Sequence, residues 1–262
     1  MGVAAGGRDG FVGVFDSGVG GISVLRSLVA ELPHEDFRFF GDSANAPYGE
    51  KTEAQVLELS RTIVERMLAE GAKALVIACN TATSVAAAPL RAAYSDVPII
   101  GIEPALKPAV VAGPHDRILV MATPVTLRLD KYHELAETYA QGANVTSVPC
   151  PGLAGRIEQG NLDAPDVREL IASYVGAYAG QVDSVVLGCT HYPFVRGTIA
   201  EVLGPGVRFF DGGAGTARQL RARLEQAGLL AMRERDGQVT FASSLDTPEE
   251  LALYQRFFSL PL

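Results

Sequence analysis

Residues 74–81 read ALVIACNT and residues 184–191 read SVVLGCTH. Each is a short apolar run that ends in a cysteine with a threonine one or two places on. Runs of this length, rich in Val, Ile and Leu and bounded by polar residues, suit strands buried on both faces of a parallel sheet. The same form recurs in FVGVFDS (11–17) and RILVMAT (117–123), where a strand delivers small polar residues into a strand-to-helix turn. The repetition implies an α/β protein of two similar domains with mainly parallel sheets.

Working outward from these runs, strands are predicted at Phe11–Phe15, Phe37–Phe40, Ala74–Ala78, Pro98–Ile102, Arg117–Ala122, Val145–Cys150, Ser184–Gly188 and Val207–Phe210, with a further strand in QVTFASS (238–244). Helical spacing appears between them. Ile22, Leu25, Val29 and Leu32 share a face before Pro33, and Val56, Leu59, Ile63 and Met67 share one before Gly71. Val167, Leu170, Ile171, Tyr174 and Tyr178 form a third face, entered through Pro165 and ended by Gly180. The chain crosses between domains near Gly101–Pro104 and returns at DGGAG (211–215). The domains are therefore drawn at 1–103 plus 214–262 and at 104–213, with the active site expected in the cleft between them.

Composition narrows the function classes. In 262 residues, 48% are hydrophobic and 20% charged, which fits a globular chain. Thirty acidic residues against 22 basic give a formal charge of −8. No Lys/Arg run could neutralise a phosphate backbone, so direct nucleic-acid binding is not expected. No apolar stretch is long enough to span a bilayer, and the N-terminal residues lack a signal-peptide core, so no membrane association and a cytoplasmic location are expected. Three cysteines do not make a disulfide framework.

In open α/β sheets ligands bind beyond the carboxyl ends of the strands. That rule selects Asp16 and Ser17, Asp42, Cys79–Thr83, Thr123–Thr126 and Cys189–His191. Zinc would need more ligands at short spacing, and a single thiol nucleophile would leave the second cysteine unexplained. Two thiols in matching contexts suit proton abstraction on one face of a carbon and return on the other. Cys150 reads as core packing, and His34, His115 and His133 read as surface residues. A dinucleotide site is the nearest motif competitor, with Gly18, Gly20 and Gly21 after the first strand and Asp42 after the second. It fails at Ser23, where a glycine belongs, and at Asp16, which would repel a pyrophosphate.

The runs GVFDSGVGGISVLR (13–26), GDSANAPYGEKT (41–52), ALVIACNTAT (74–83), GIEPALKPAV (101–110) and VVLGCTHYP (185–193) resemble those of bacterial glutamate racemases, in the same order and over nearly the whole chain. The resemblance implies a cofactor-independent enzyme that interconverts L- and D-glutamate and supplies D-glutamate for peptidoglycan. Carried over by position, Cys79 and Cys189 are its acid/base thiols, with Asp16 helping the first and His191 the second. The implied substrate contacts are Asp16, Ser17, Pro47, Tyr48, Gly49, Asn80, Thr81, Thr123, Thr126, Thr190 and His191. Glu158 matches a family glutamate and is a candidate neighbour of His191, with a solvated helix carboxylate as the alternative. No metal, cofactor or nucleotide is expected, the partner is glutamate itself, and a homodimer is the expected assembly. The alternatives are a racemase of another acidic amino acid such as aspartate, and a non-catalytic regulatory binder with the same fold.

Overall fold

A computed structural model of the chain describes residues 7–112, 117–139 and 143–262. Among them are nine strands: β1 Phe11–Asp16, β2 Phe37–Gly41, β3 Ala72–Ile77, β4 Ile99–Gly101, β5 Arg117–Ala122, β6 Asn144–Pro149, β7 Ser184–Leu187, β8 Arg208–Phe210 and β9 Val239–Ser243. They form two sheets, ordered β4-β3-β1-β2-β9 and β6-β5-β7-β8, and every strand pair is parallel.

The two orders are the same motif. Read from β4 the first sheet runs β4-β3-β1-β2, and read from β8 the second runs β8-β7-β5-β6; the first sheet adds β9 outside β2. In each, the second strand lies on one side of the first strand and the third strand lies on the other. The order reverses at that point, between β1 and β3 and between β5 and β7, which is where α/β sheets open a crevice at their carboxyl ends. The described residues group into two units, one within Met1–Ile102 and Gly213–Ser259 and the other within Glu103–Gly212 and Leu260–Leu262. These bounds differ from the sequence-drawn ones at Glu103, Gly213 and the last three residues.

Local sequence explains the helices that flank the first sheet. Ile22–Glu31 buries Ile22, Leu25 and Leu28 and stops before Pro33. Glu53–Ala69 starts on a capping box in which the Thr52 side chain and Gln55 satisfy each other's backbone N–H groups. Two boundaries depart from the sequence reading by more than one residue. The periodic face over 167–178 is not one α-helix: Pro165–Val175 is α-helical, and Gly176–Tyr178 tightens into a 3₁₀ turn at a glycine, a poor helix former. Strand β3 starts at Ala72, ahead of the predicted Ala74, because the buried Lys73 is accommodated by an ion pair to Glu35 at 2.6 Å and a bond to the Arg8 carbonyl at 2.7 Å. His34 and His133 are exposed, and His115 lies outside the described residues. No helix among the described residues is long and apolar enough to cross a membrane.

Candidate active site

In the first unit β1 ends on Asp16, which is wholly buried, and Ser17 follows at 5% exposure. The Ser17 N–H donates to Asp16 Oδ1 at 2.5 Å, and its hydroxyl donates to the same oxygen at 3.0 Å. Gly21 makes room for that carboxylate, since a Cβ there would stand 2.8 Å from Asp16 Oδ2. Beyond the end of β3, Cys79 is the N-cap of helix Asn80–Ala93. Its sulfur accepts from the Ala82 N–H at 3.4 Å and lies 3.9 Å from Ser17 Oγ. Thiol, serine hydroxyl and carboxylate thus form a short relay, with the sulfur at a helix N-terminus, whose dipole favours thiolate.

The first turn of that helix buries Asn80, Thr81 and Thr83. The Thr83 hydroxyl donates back to the Ile77 carbonyl at 3.1 Å, whereas Asn80 Oδ1 is buried with no hydrogen-bond partner among the described residues, an acceptor suited to a bound N–H donor. After β2, the Asp42 carboxylate accepts from the Tyr48 hydroxyl at 2.6 Å and from Asn45 Nδ2 at 3.0 Å. Burial first, then this bond to Asp42, raises the Tyr48 phenol above its ordinary 10.0, and the negative charges of Cys79 and Asp16 add to the effect. An acid so engaged by Tyr48 and Asn45 is not presented to a ribose, which weighs further against a dinucleotide site. Pro47 and Gly49 flank Tyr48 and are half-buried.

In the second unit Gly188 lets β7 pass close to β5, because a Cβ at this position would be 2.9 Å from the Met121 carbonyl oxygen. Cys189 follows, with its sulfur 3.5 Å from His191 Nδ1. His191 Nε2 in turn meets Glu158 Oε1 at 2.5 Å. Glu158 is the last residue of helix Leu153–Glu158, which enters through Gly152 in the left-handed conformation at φ 78°. Burial alone would lower the His191 pKa, but the facing Glu158 carboxylate and the Cys189 sulfur together hold it well above 6.5. Of the two sequence readings of Glu158, the geometry selects the neighbour of His191.

The remaining groups of this unit line up as neutral donors and packing. Thr123 caps helix Pro124–Arg128 by accepting from the Thr126 N–H at 3.3 Å, and the two hydroxyls lie 2.9 Å apart. Thr190 is buried at 4% exposure. The Cys150 thiol donates to the Val148 carbonyl at 3.5 Å, and burial, then the Cys189 charge, pushes its pKa up to about 12. It stays a thiol at neutral pH. Tyr192, a residue the sequence reading passed over, is fully buried and donates to the Cys150 carbonyl at 3.4 Å. Among the described residues no group of three or more His, Cys, Asp or Glu is placed to hold a metal ion.

The sequence-selected residues therefore fall into two sets within their own units: Asp16, Ser17, Pro47, Tyr48, Gly49, Cys79, Asn80 and Thr81 in the first, and Thr123, Thr126, Cys189, Thr190 and His191 in the second. Both sheets are parallel, and each carries a buried cysteine beyond its third strand. The family model described as Asp/Glu/Hydantoin racemase matches residues 12–220, and the chain belongs to that family; its reaction class is that of an isomerase. Among its relatives, it is 49% identical over 245 residues to the glutamate racemase of Bifidobacterium animalis subsp. lactis, covering 92% of this chain and 94% of the relative. It is 43% identical over 250 residues to the glutamate racemase of Clostridium perfringens, covering 95% and 96%. The solved glutamate racemase of Francisella tularensis in complex with D-glutamate superposes with a TM-score of 0.82 at 26% identity, covering 97% of this chain and 96% of that one.

Proposed function

We propose that this protein racemises glutamate by a two-thiol mechanism, with Cys79 and Cys189 acting on opposite faces of one α-carbon and with no cofactor. The observation that carries the reading is that each sheet's order reverses beside a buried cysteine with a proton-handling partner of its own. Those partners are Ser17 and Asp16 for Cys79 and His191 and Glu158 for Cys189. One thiolate takes the α-proton, so a C–H bond breaks and an S–H bond forms. The other thiol gives its proton to the carbanion from the far face. The carbon is inverted, the two sulfurs exchange protonation state, and nothing is oxidised or reduced.

The partners fit those duties. A hydrogen-bonded neighbour raises the useful thiolate fraction of a group whose ordinary pKa is about 8.5. For Cys79 the helix start and the Ser17–Asp16 relay do this, and beside Cys189 the His191–Glu158 pair can take up or return a proton. The substrate would be held by the neutral donors and acceptors of Ser17, Asn80, Thr81, Thr123, Thr126 and Thr190 and by the Pro47–Gly49 segment, without an arginine clamp. The relatives named as glutamate racemases and the solved complex with D-glutamate support glutamate as substrate. The same reading assigns the product D-glutamate to peptidoglycan synthesis, the enzyme to the cytoplasm, and the assembly to a homodimer.

The test incubates each glutamate enantiomer in deuterated water and follows optical rotation together with α-deuterium. Label entering mainly the product enantiomer is the expected result, since each thiol exchanges on its own face. Label in aspartate alone would reassign the substrate. Label in neither amino acid would overturn the racemase reading and leave the regulatory binder.

A further inference from the structure

Asp42 is a buried acid that the chemistry above does not use. It is 3% exposed, and its oxygens accept one bond each, Oδ2 from Tyr48 and Oδ1 from Asn45, both neutral donors. Its N–H donates to the Asp16 carbonyl at 3.0 Å, which ties it to the residue that anchors the Cys79 relay. A carboxylate buried against neutral donors is an expensive element in a fold, and such local departures concentrate where function needs a fixed geometry.

What the carboxylate fixes is the segment that follows it. Asn45 and Tyr48 stand on either side of Pro47, so one carboxylate holds both ends of that short stretch. From the other side, the Tyr254 hydroxyl of helix Pro248–Ser259 bonds Ser43 Oγ at 2.7 Å, and the Ala44 N–H donates to Ser244 Oγ at 2.9 Å. The segment is thus pinned by side-chain bonds at residues 43, 44, 45 and 48. Tyr48 itself packs in the buried cluster that contains Cys79.

We propose that Asp42 is a positioning residue for substrate binding: through Tyr48 and Asn45 it presets the backbone of residues 47–49 next to Cys79, so that the substrate meets that backbone and not the phenol. A segment fixed before binding avoids the ordering entropy that a free loop would lose on contact. The inference rests on the reading of residues 47–49 as substrate contacts made above.

The experiment compares Asp42→Ala, Asp42→Asn, Tyr48→Phe and the Asp42→Ala/Tyr48→Phe pair with the parent enzyme. Loss of a hydrogen bond to a charged group predicts a KM about tenfold higher in Asp42→Ala, for both glutamate enantiomers alike. kcat changes by less than about threefold. Asp42→Asn, which keeps an acceptor for Tyr48, recovers most of the KM, and the double variant is no worse than Asp42→Ala because both changes break one connection. Amide hydrogen exchange at Tyr48 and Gly49 gives a readout independent of turnover and rises about tenfold in Asp42→Ala. An unchanged KM in folded Asp42→Ala and Tyr48→Phe, additive effects in the pair, or unchanged exchange would each overturn the proposal. If the parent enzyme fails to label glutamate, the functional reading falls, while the exchange measurement still decides whether Asp42 holds this segment.

Discussion

The two cysteine sites sit at equivalent points of equivalent sheets, yet they are equipped differently. Cys79 caps a long helix, Asn80–Ala93, and borrows its N–H groups, with a serine and a buried aspartate behind it. Cys189 is separated from the next α-helix, Arg196–Leu203, by the 3₁₀ turn Tyr192–Val195, so it caps no helix itself, and it has a histidine backed by a glutamate beside it. A long helix offers an electrostatic anchor that does not titrate, whereas an imidazole can itself gain or lose a proton. The duplicated topology fixes where the thiols stand, and the side chains around them decide how each is tuned.

The sharpest way to break this comparison is to remove either sulfur. Cys79→Ser and Cys189→Ser are each expected to lower racemisation by about 10³-fold or more, the scale of losing a positioned acid–base group, as measured by polarimetry. Normal turnover in either variant would place the chemistry elsewhere. Next in size is His191→Asn, expected to cost about 10²-fold and to impair α-deuterium exchange of one enantiomer more than the other, because His191 adjoins only Cys189. Equal loss for both enantiomers would contradict a division of labour between the two sites.

Glu158→Gln should act more gently and through pH. The folded pKa of His191 is raised above 6.5, so the stabilisation this gives is fully present below about pH 6.5 and is lost as pH rises through the folded value. The melting temperature of Glu158→Gln should therefore fall furthest below the parent at acid pH and approach it as the pH is raised. A constant difference across that range would show that Glu158 contributes packing alone. Ser17→Ala, the corresponding change behind Cys79, is expected to reduce turnover by only about three- to tenfold, as one lost hydroxyl does. The smallest effect belongs to Cys150→Ala, whose thiol at a pKa of about 12 takes no part in proton transfer. Activity within about twofold of the parent and a modest loss of melting temperature are expected.

Strands β1, β3, β5 and β7 were legible because strands buried on both faces must be apolar along their whole length, and the polar residues that end them stand out. Lys73 was not, since a lysine in a strand reads as exposed until its partner Glu35, from a distant loop, is brought against it. The same limit hid the shortened helix at Val175, where periodicity continues through a glycine that the backbone does not follow.

The chemical types of the two sites, Asp16, Ser17, Cys79, Cys189 and His191, follow from the chain alone, because each stands within a few residues of a strand end and the strand's direction carries it to the sheet's edge. Sequence patterning also determined the α/β class and the repetition of the two halves. The pairing of Glu158 with His191, of Asp42 with Tyr48 and Asn45, and of Tyr254 with Ser43 was decided only by the tertiary structure. A hydrogen bond depends on a separation of about 3 Å in space, and for a carboxylate or hydroxyl many potential partners are chemically equivalent until the folded backbone chooses one.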